Sequence, residues 1–535
     1  MHTEVLIVGA GPVGLTLAIA LGQRGVRCTL IEKKAAPEFL PKMERCNART
    51  MEIFRRMRLA EKIRAAGLHK DVPMDVYIAL AMNEPPLLRL KYPSVAEAQT
   101  EIAACHDGSM PLEPYQLISQ YTLEPLLKAE CERLPAISVR YGCEFQSFSQ
   151  HADAVTAIVQ SEGGPGQIRA QYMVGCDGGA SVVRRQLGIA LRGEGDLLRL
   201  YQALYYSPGL YGMIPIGQGP GHGRHYHIAD AQSTFLIMQD STRHWTLHAS
   251  VEAPEQMAAQ FERTIGVPVQ YEMLYVGAWK LNLLLAEGYG HGRVFLAGDA
   301  AHLVIPTGGL GMNTGVGDAV DLAWKLAGTL RGWGGPNLLA SYEIERRQVG
   351  DRNIGASRYA WLGRRKWRSQ YRLGIRDRTA AGQAIRDNLA QVAAIEQPKS
   401  NEMIGAELGY RYVGSPIIWE EPGGPEHLFR EYVPTTWPGA RLPHVWTSEQ
   451  TPVQDLIGDG YTLLRLGRTT ADVTPLETAM RELGAPFDTV SVDSTNARDV
   501  YGYDLLLLRP DLHIAWRGNA LPREPARLAA VITGH

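Results

Sequence analysis

Apolar and polar positions along the first thirty residues fall into three stretches. Glu4–Val8 (EVLIV) is a short β-branched run, the pattern of a buried parallel strand. A glycine-rich turn, GAGPVG, follows, and LTLAIALGQRG then reads as a helix ending near Gly25. Arg27–Ile31 (RCTLI) is a second strand, so the segment spells a βαβ unit with an expected right-handed crossover. No charged residue occurs between Val5 and Gln23. Gly9, Gly11, Pro12 and Gly14 interrupt that stretch, and it lacks a basic leader and a cleavage site, so it reads as strand, turn and helix rather than as a signal or a membrane span.

Further on, Leu123, Leu126, Leu127, Cys131 and Leu134 recur at helical spacing and predict a helix over Ser119–Leu134. Residues 137–175 read as short strands with a turn at Gly163–Gly166. Residues 198–280, rich in aromatics and histidine, read as a sheet. Val294–Leu296 is another strand, Gly317–Leu330 a helix, and an Arg-rich stretch near 342–390 is helical. A Pro-rich segment, 421–443, sets off a C-terminal unit, and no internal repeat is present.

A chain of 535 residues is expected to form two or three domains. Its 45% hydrophobic and 21% charged residues are those of a globular protein, and a formal net charge of -2 gives no reason to invoke nucleic acid or an anionic membrane. The six cysteines are scattered and none forms a CxxC pair. That argues against a disulfide framework or a metal site and for buried free thiols in a reducing cytoplasm.

The first candidate chemistry is Gly9-x-Gly11-x-x-Gly14. In such a turn the first glycine makes the tight bend, the second lets a pyrophosphate approach and the third allows close packing. Pro12 and Val13 begin the helix, whose N-terminus offers free amides to phosphates. Glu32, with Lys33 beside it, closes the next strand and can accept hydrogen bonds from ribose hydroxyls. This pattern does not distinguish NAD from FAD.

The run from Gly292 to Ala327, GRVFLAGDAAHLVIPTGGLGMNTGVGDAVDLAWKLA, resembles the Gly-Asp fingerprint of the single-component, class A FAD-dependent aromatic hydroxylases, in the phenol and polyketide hydroxylase branch. The resemblance implies that Asp299, after Gly298, bonds the FAD ribityl chain and that Pro306 lies beside the flavin ring. It also implies that Gly309, Gly311, Met312 and Asn313 present amides to the flavin's pyrimidine edge, where a reduced ring carries negative charge. Cys176–Arg184 (CDGGASVVR) is similar to the family's DGxxSxVR motif and points to Asp177, Gly178 and Arg184 as cofactor contacts. The alternative is local: Asp177 as a turn residue and Ser181 as a helix cap. Gln120 resembles a flavin-contacting glutamine. Lys42 stands where many relatives have Arg, with Arg45 and Arg49 nearby, so the phosphate-binding cation is open among these.

Arg441–Trp446 and Leu508–Arg517 resemble signatures of that branch's C-terminal thioredoxin-like domain. No cysteine follows Cys176, which excludes thiol redox chemistry there and leaves packing or homodimer formation. The expected fold is thus α/β: a Rossmann-like FAD domain split over 1–175 and 281–395, an inserted sheet-rich substrate domain at 176–280 with part of 70–115, and a thioredoxin-like unit lacking CxxC at 400–535.

The activity implied by the resemblance is NAD(P)H- and O2-dependent hydroxylation of a phenol, ortho or para to its hydroxyl, through a C4a-hydroperoxyflavin. Hydroxylation with loss of a nitro or halogen group, tailoring of an aromatic polyketide or antibiotic, and a flavin oxidase or dehydrogenase remain alternatives. No second GxGxxG is present, so NADH or NADPH is expected to bind transiently over the flavin. Arg224, His225 and Tyr226 are candidate substrate contacts, and alternation puts His225 and His227 on one face, Arg224 and Tyr226 on the other.

Overall fold

The computed structural model describes residues 2–535. The nucleotide-type unit opens with β1 (His2–Val8), α1 (Pro12–Gln23) and β2 (Cys28–Glu32), and continues through α2 (Gln120–Arg133), β3 (Ile137–Tyr141) and β4 (Gly164–Gly175). Then come the long strand β5 (Leu191–Tyr206), the short strands β6 (His225–Ile228), β7 (Phe235–Met238) and β8 (His244–Ala249), and β9 (Glu272–Ala286). β10 (Val294–Leu296), α3 (Gly311–Arg331) and α4 (Pro336–Arg368) return to the first unit, and β11 (Tyr461–Leu466), β12 (Phe487–Val492), β13 (Leu505–Leu508) and β14 (Ile514–Gly518) form the last.

β10, β4, β1, β2 and β3 lie side by side, all parallel, with β1 in the middle. Val5 to Val8 are all buried, as a strand covered on both faces requires. The C-terminal ends of β10, β4 and β1 therefore stand together. The loops they carry begin at Ala297, Cys176 and Gly9, and in an open α/β sheet such loops form the ligand crevice.

The second sheet runs β9, β5, β8, β7, β6 and then Val76–Ala79 and Leu88–Leu90, so the 70–115 stretch supplies two strands to it. One face carries Tyr205, Tyr226, Trp245 and Leu247, all buried against the helix Gln256–Ile265. Tyr205 stacks on Phe261 with ring centroids 4.1 Å apart. The opposite face, with His225, His227 and His248, looks toward the first unit.

The C-terminal sheet has the order β12-β11-β13-β14, with β11 and β12 parallel and the other pairs antiparallel. Leu505 to Leu508 are buried on both sides, which a continuous leucine run needs.

Two elements depart from the sequence reading. α3 begins at Gly311 rather than Gly317, although Gly315 and Gly317 weaken helix propensity. A Cβ at Gly315 would lie 2.5 Å from Val13 Cγ2 and 3.0 Å from Gly298 Cα, so close packing of α3 against the neighbouring loop demands glycine. The Arg-rich stretch is one 33-residue helix, α4, followed by a shorter one at Ala380–Glu396. Among the described residues no helix is long and apolar enough to cross a membrane, and no group of His, Cys, Asp and Glu is arranged to hold a metal.

Candidate active site

Gly9 sits at φ +107°, and an added Cβ would lie 2.4 Å from the Cys176 carbonyl oxygen. At Gly14 the added atom would be 2.0 Å from the Gly9 carbonyl. Both loops cross here at a distance only glycine permits. Gly11 differs, since the nearest atom to its added Cβ is Glu124 Oε1 at 4.0 Å. No side chain caps α1, Pro12 occupies its first turn, and its free amides and positive dipole end face this open space. A Cβ at Gly298 would lie 2.9 Å from Val13 Cγ2, so the turn after β1 and the loop after β10 are in contact.

Around this opening lie the ionisable groups. Glu32 accepts hydrogen bonds from the amides of Ala10 (3.0 Å) and Lys34 (3.1 Å), and Lys33 is exposed. Asp299 opens onto the cleft yet is enclosed enough that burial raises its carboxyl pKa, against the opposing pull of His302 and Lys42. Burial likewise raises Glu124, which accepts from Gln120 Nε2 at 2.6 Å and feels Lys42 and Lys34. Lys42 is exposed and acts on both carboxylates. The donor set fits FAD: uncapped amides and lysine charge for phosphates, Glu32 for a ribose, and Asp299 for ribityl hydroxyls.

Four of the candidate side chains have partners within the chain. The Asp177 carboxylate accepts from Ser181 Oγ and from the amides of Val182 (2.7 Å) and Val183 (3.1 Å), while Ser181 caps the helix Val182–Gln186. These are the turn and cap contacts of the local reading. Gly178 (φ +78°) leaves open space beside it. Arg184 is buried and donates to the carbonyls of Ala300 (2.9 Å) and Gly179 (3.0 Å), which bolts the loop after β4 to the loop after β10. Arg45 is buried as well, paired with Glu407 and donating to the Gly308 carbonyl at 2.9 Å. Its guanidinium lies against the GG turn, where a Cβ on Gly309 would be 3.2 Å from Arg45 Nη2. Arg49 donates to the Asp511 carbonyl and is likewise internal.

The GGLGMN loop turns on Gly308 (φ +95°) and Gly309 (φ +67°), with the Gly309 amide bonded to the Pro306 carbonyl. Pro306 is exposed at the loop's tip. No side chain caps α3, so the amides of Gly311, Met312 and Asn313 form its open positive end. The Asn313 side chain is occupied, accepting from the Asn47 amide and donating to the carbonyls of Arg45 and Gly309.

The inner face of the second sheet adds a residue that the sequence did not single out, Glu44. Its carboxylate meets His225 Nε2 at 3.0 Å and Arg224 Nη2 at 3.2 Å. Burial works to raise the Glu44 carboxyl, but His225, Arg224 and Arg45 outweigh it and hold it well below the usual range. Burial pushes His225 down to about 4, with Glu44 opposing and Arg224 adding to the fall. The ring is therefore neutral. The short contact to Glu44 asks for a proton on Nε2, although Arg224 Nε also lies 3.3 Å away, and Nδ1 is sealed without a partner.

Alternation holds for His225, His227 and Tyr226 but not for Arg224, which precedes the strand and turns to the same side as His225. Tyr226 is displaced from the candidate site. It is 1% exposed in the core of the far face, its hydroxyl bonded to Gly221 and Gly223, its ring stacked on Tyr77. A lone acid before Arg45 carried no periodic signal, and only the packing of the 41–45 segment on the sheet, through Gln202 Nε2 to the Pro41 carbonyl, reveals Glu44's place.

Comparison with known proteins accords with this geometry. Residues 2–357 match the FAD binding domain family and residues 435–534 the aromatic-ring hydroxylase C-terminal family. The chain is 31% identical to the FAD-dependent monooxygenase apdD of Emericella nidulans, covering 99% of this chain and 90% of the relative. It is 31% identical to aklavinone 12-hydroxylase RdmE of Streptomyces purpurascens, covering 98% and 97%. The solved structure of chromopyrrolic acid-soaked RebC with bound 7-carboxy-K252c superposes with a TM-score of 0.90 at 31% identity, covering 100% of this chain and 99% of that one.

Proposed function

The chain belongs to the class A FAD-dependent aromatic and polyketide hydroxylases, and from that premise we propose that it uses NAD(P)H and O2 to hydroxylate a phenolic ring ortho or para to an existing hydroxyl. It is a flavin monooxygenase, and the phenolic substrate, the site of attack and the nicotinamide cosubstrate are the parts proposed. The observation carrying the reading is a polar sheet face, built on Glu44, Arg224 and His225, that joins the GG turn through Arg45.

Bound FAD would supply hydride acceptance and oxygen activation. The protein's part is to hold and bias. Asp299, Glu32 and the open end of α1 would hold the cofactor's polar arm, and the open end of α3 would favour negative charge at the pyrimidine edge. Arg224, held by Glu44 beside the neutral His225, would place positive charge on the face where the substrate hydroxyl lies and so favour its electron-rich phenolate form. Phe235 and Trp279 beside His248 keep water from the reacting carbon. NAD(P)H reacts from a transient position in the cleft. The C-terminal unit, whose Arg441–Trp446 and Leu508–Arg517 segments resemble a thioredoxin-like domain, is assigned a packing role, since it carries no cysteine.

A panel of phenols tests the proposal. The expected result is phenol-stimulated NAD(P)H oxidation with a product heavier by one oxygen by mass spectrometry. Stoichiometric hydrogen peroxide with every phenol would replace it with an oxidase reading.

A further inference from the structure

The inner face of the second sheet holds more positive charge than the chain neutralises. Arg224 and Arg364 face it, and Glu44 is the carboxylate that answers them. Arg45 is already matched by Glu407. Arg368 donates to the carbonyls of Ile228 and Thr234, and the nearby Asp230 answers its charge. His225 and His248 are each 5% exposed and are held neutral by burial, so they neither add to nor offset the charge.

Arg364 stands apart from the other guanidinium groups. It rises from α4 and lies over the Phe235 ring, 5.1 Å from its centroid. Phe235 in turn stacks on His248, with centroids 4.4 Å apart and planes 5° from parallel. The Arg364 Nε is sealed from solvent and unbonded, and among the described residues no hydrogen bond or ion pair reaches its head. The Nδ1 atoms of His225 and His248 are sealed and unbonded too. Burial lowers Arg364 to about 10, with Glu44 opposing, which leaves it charged at neutral pH. Arg364 is half-buried: its Nε is sealed, while its Nη donors remain accessible and have no acceptor from the chain, so a ligand entering beside Phe235 meets free donors.

We propose that the aromatic substrate carries a carboxylate and that Arg364 receives it, with the Phe235–His248 stack forming the floor beneath the ring. A carboxylate is planar, bears one negative charge and offers two oxygens to a guanidinium fork, which matches the unspent donors and the excess of one positive charge. A bare phenolate would satisfy the charge but fill only one arm of the fork. This inference rests on the proposed hydroxylase reading for the location of the substrate, not for the carboxylate.

The test pairs phenols that differ in a carboxylate, such as 3-(3-hydroxyphenyl)propionate against 3-propylphenol and salicylate against phenol. Binding is read on the holoenzyme from the perturbation of the flavin absorption band, independent of turnover. The wild type is expected to bind the acid of at least one pair about ten- to a hundred-fold more tightly, the range of a charge-assisted hydrogen bond. Arg364→Met should erase that preference while its neutral phenol affinity stays within about two-fold, and Arg364→Lys should restore part of it. Equal binding of acid and neutral partner by the wild type, binding of neither, or an intact preference in Arg364→Met overturns the inference. The wild-type comparison decides even where a variant folds poorly. An acid that binds tightly without stimulating NAD(P)H oxidation supports the carboxylate site and counts against the hydroxylase reading.

Discussion

Gly11 and Gly14 make the sharpest contrast at the scale of single residues. A methyl group at Gly14 would collide with the Gly9 carbonyl at 2.0 Å, whereas at Gly11 it would stand in open space. Gly14→Ala is therefore expected to reduce soluble folded protein severely. Gly11→Ala should fold normally, by circular dichroism, and lose FAD affinity about ten-fold or more in a fluorescence titration. Asp299→Ala should also fold and lose its yellow colour, because the cleft-facing carboxylate supports no other part of the chain. Full FAD retention in Asp299→Ala would place the ribityl arm elsewhere. These positions were legible in the sequence because glycine spacing reports backbone crossings directly. The side-chain partners of Arg184, Arg45 and Asn313 were not, since a motif fixes which residues meet but not which polar atom each satisfies first. Glu44 was invisible for the opposite reason: its partners lie about 180 residues away and no local pattern ties them.

At the scale of elements, the second sheet should respond to pH. Burial depresses His225 to about 4 and His248 to about 3, and pushes His227 well below its ordinary value. In the unfolded chain these rings titrate near about 6.5. Between that value and about 4 the unfolded chain holds protons that the folded one does not, so stability is full above 6.5 and falls as pH drops. Each ring contributes up to about 1.4 kcal/mol per pH unit in that window. The holoprotein's melting temperature should decline from pH 7 to pH 5, and His248→Phe, which keeps the stack on Phe235, should decline less steeply. A flat profile would show that these rings take up protons within the fold. Strand and helix positions were largely readable here, because β1, α1 and β2 pair apolar periodicity with glycine punctuation. The start of α3 was not, since its glycines are chosen for contact with Val13 and Gly298 against their own propensity.

At the scale of the molecule, the C-terminal unit is keyed into the first one by a buried arginine. Arg509 reaches from the end of β13 to Glu345 of α4 (2.9 Å) and Asp321 of α3 (3.1 Å), while Asp511 binds it at 2.6 Å. Lys325 completes the set with Asp321 and Glu345. Arg509→Met removes the buried cation shared by Asp321, Glu345 and Asp511, and the expected cost is about 3–5 kcal/mol, read as a lower urea midpoint. Unchanged stability would mean that the acids rearrange around water. Such a key explains why α3, whose N-terminus faces the cofactor cleft, is fixed by a unit distant in sequence. The Pro-rich boundary and the absence of cysteine were visible in the sequence, but this inter-unit pairing was not, because charged residues read as surface until their burial is seen.

Oxygen transfer to an aromatic ring is decided by labelled dioxygen. With 18O2, NAD(P)H and a turned-over phenol, the purified holoenzyme should give a product containing one 18O atom for each NAD(P)H consumed. Product without label, or label confined to hydrogen peroxide while NAD(P)H is consumed, would contradict it.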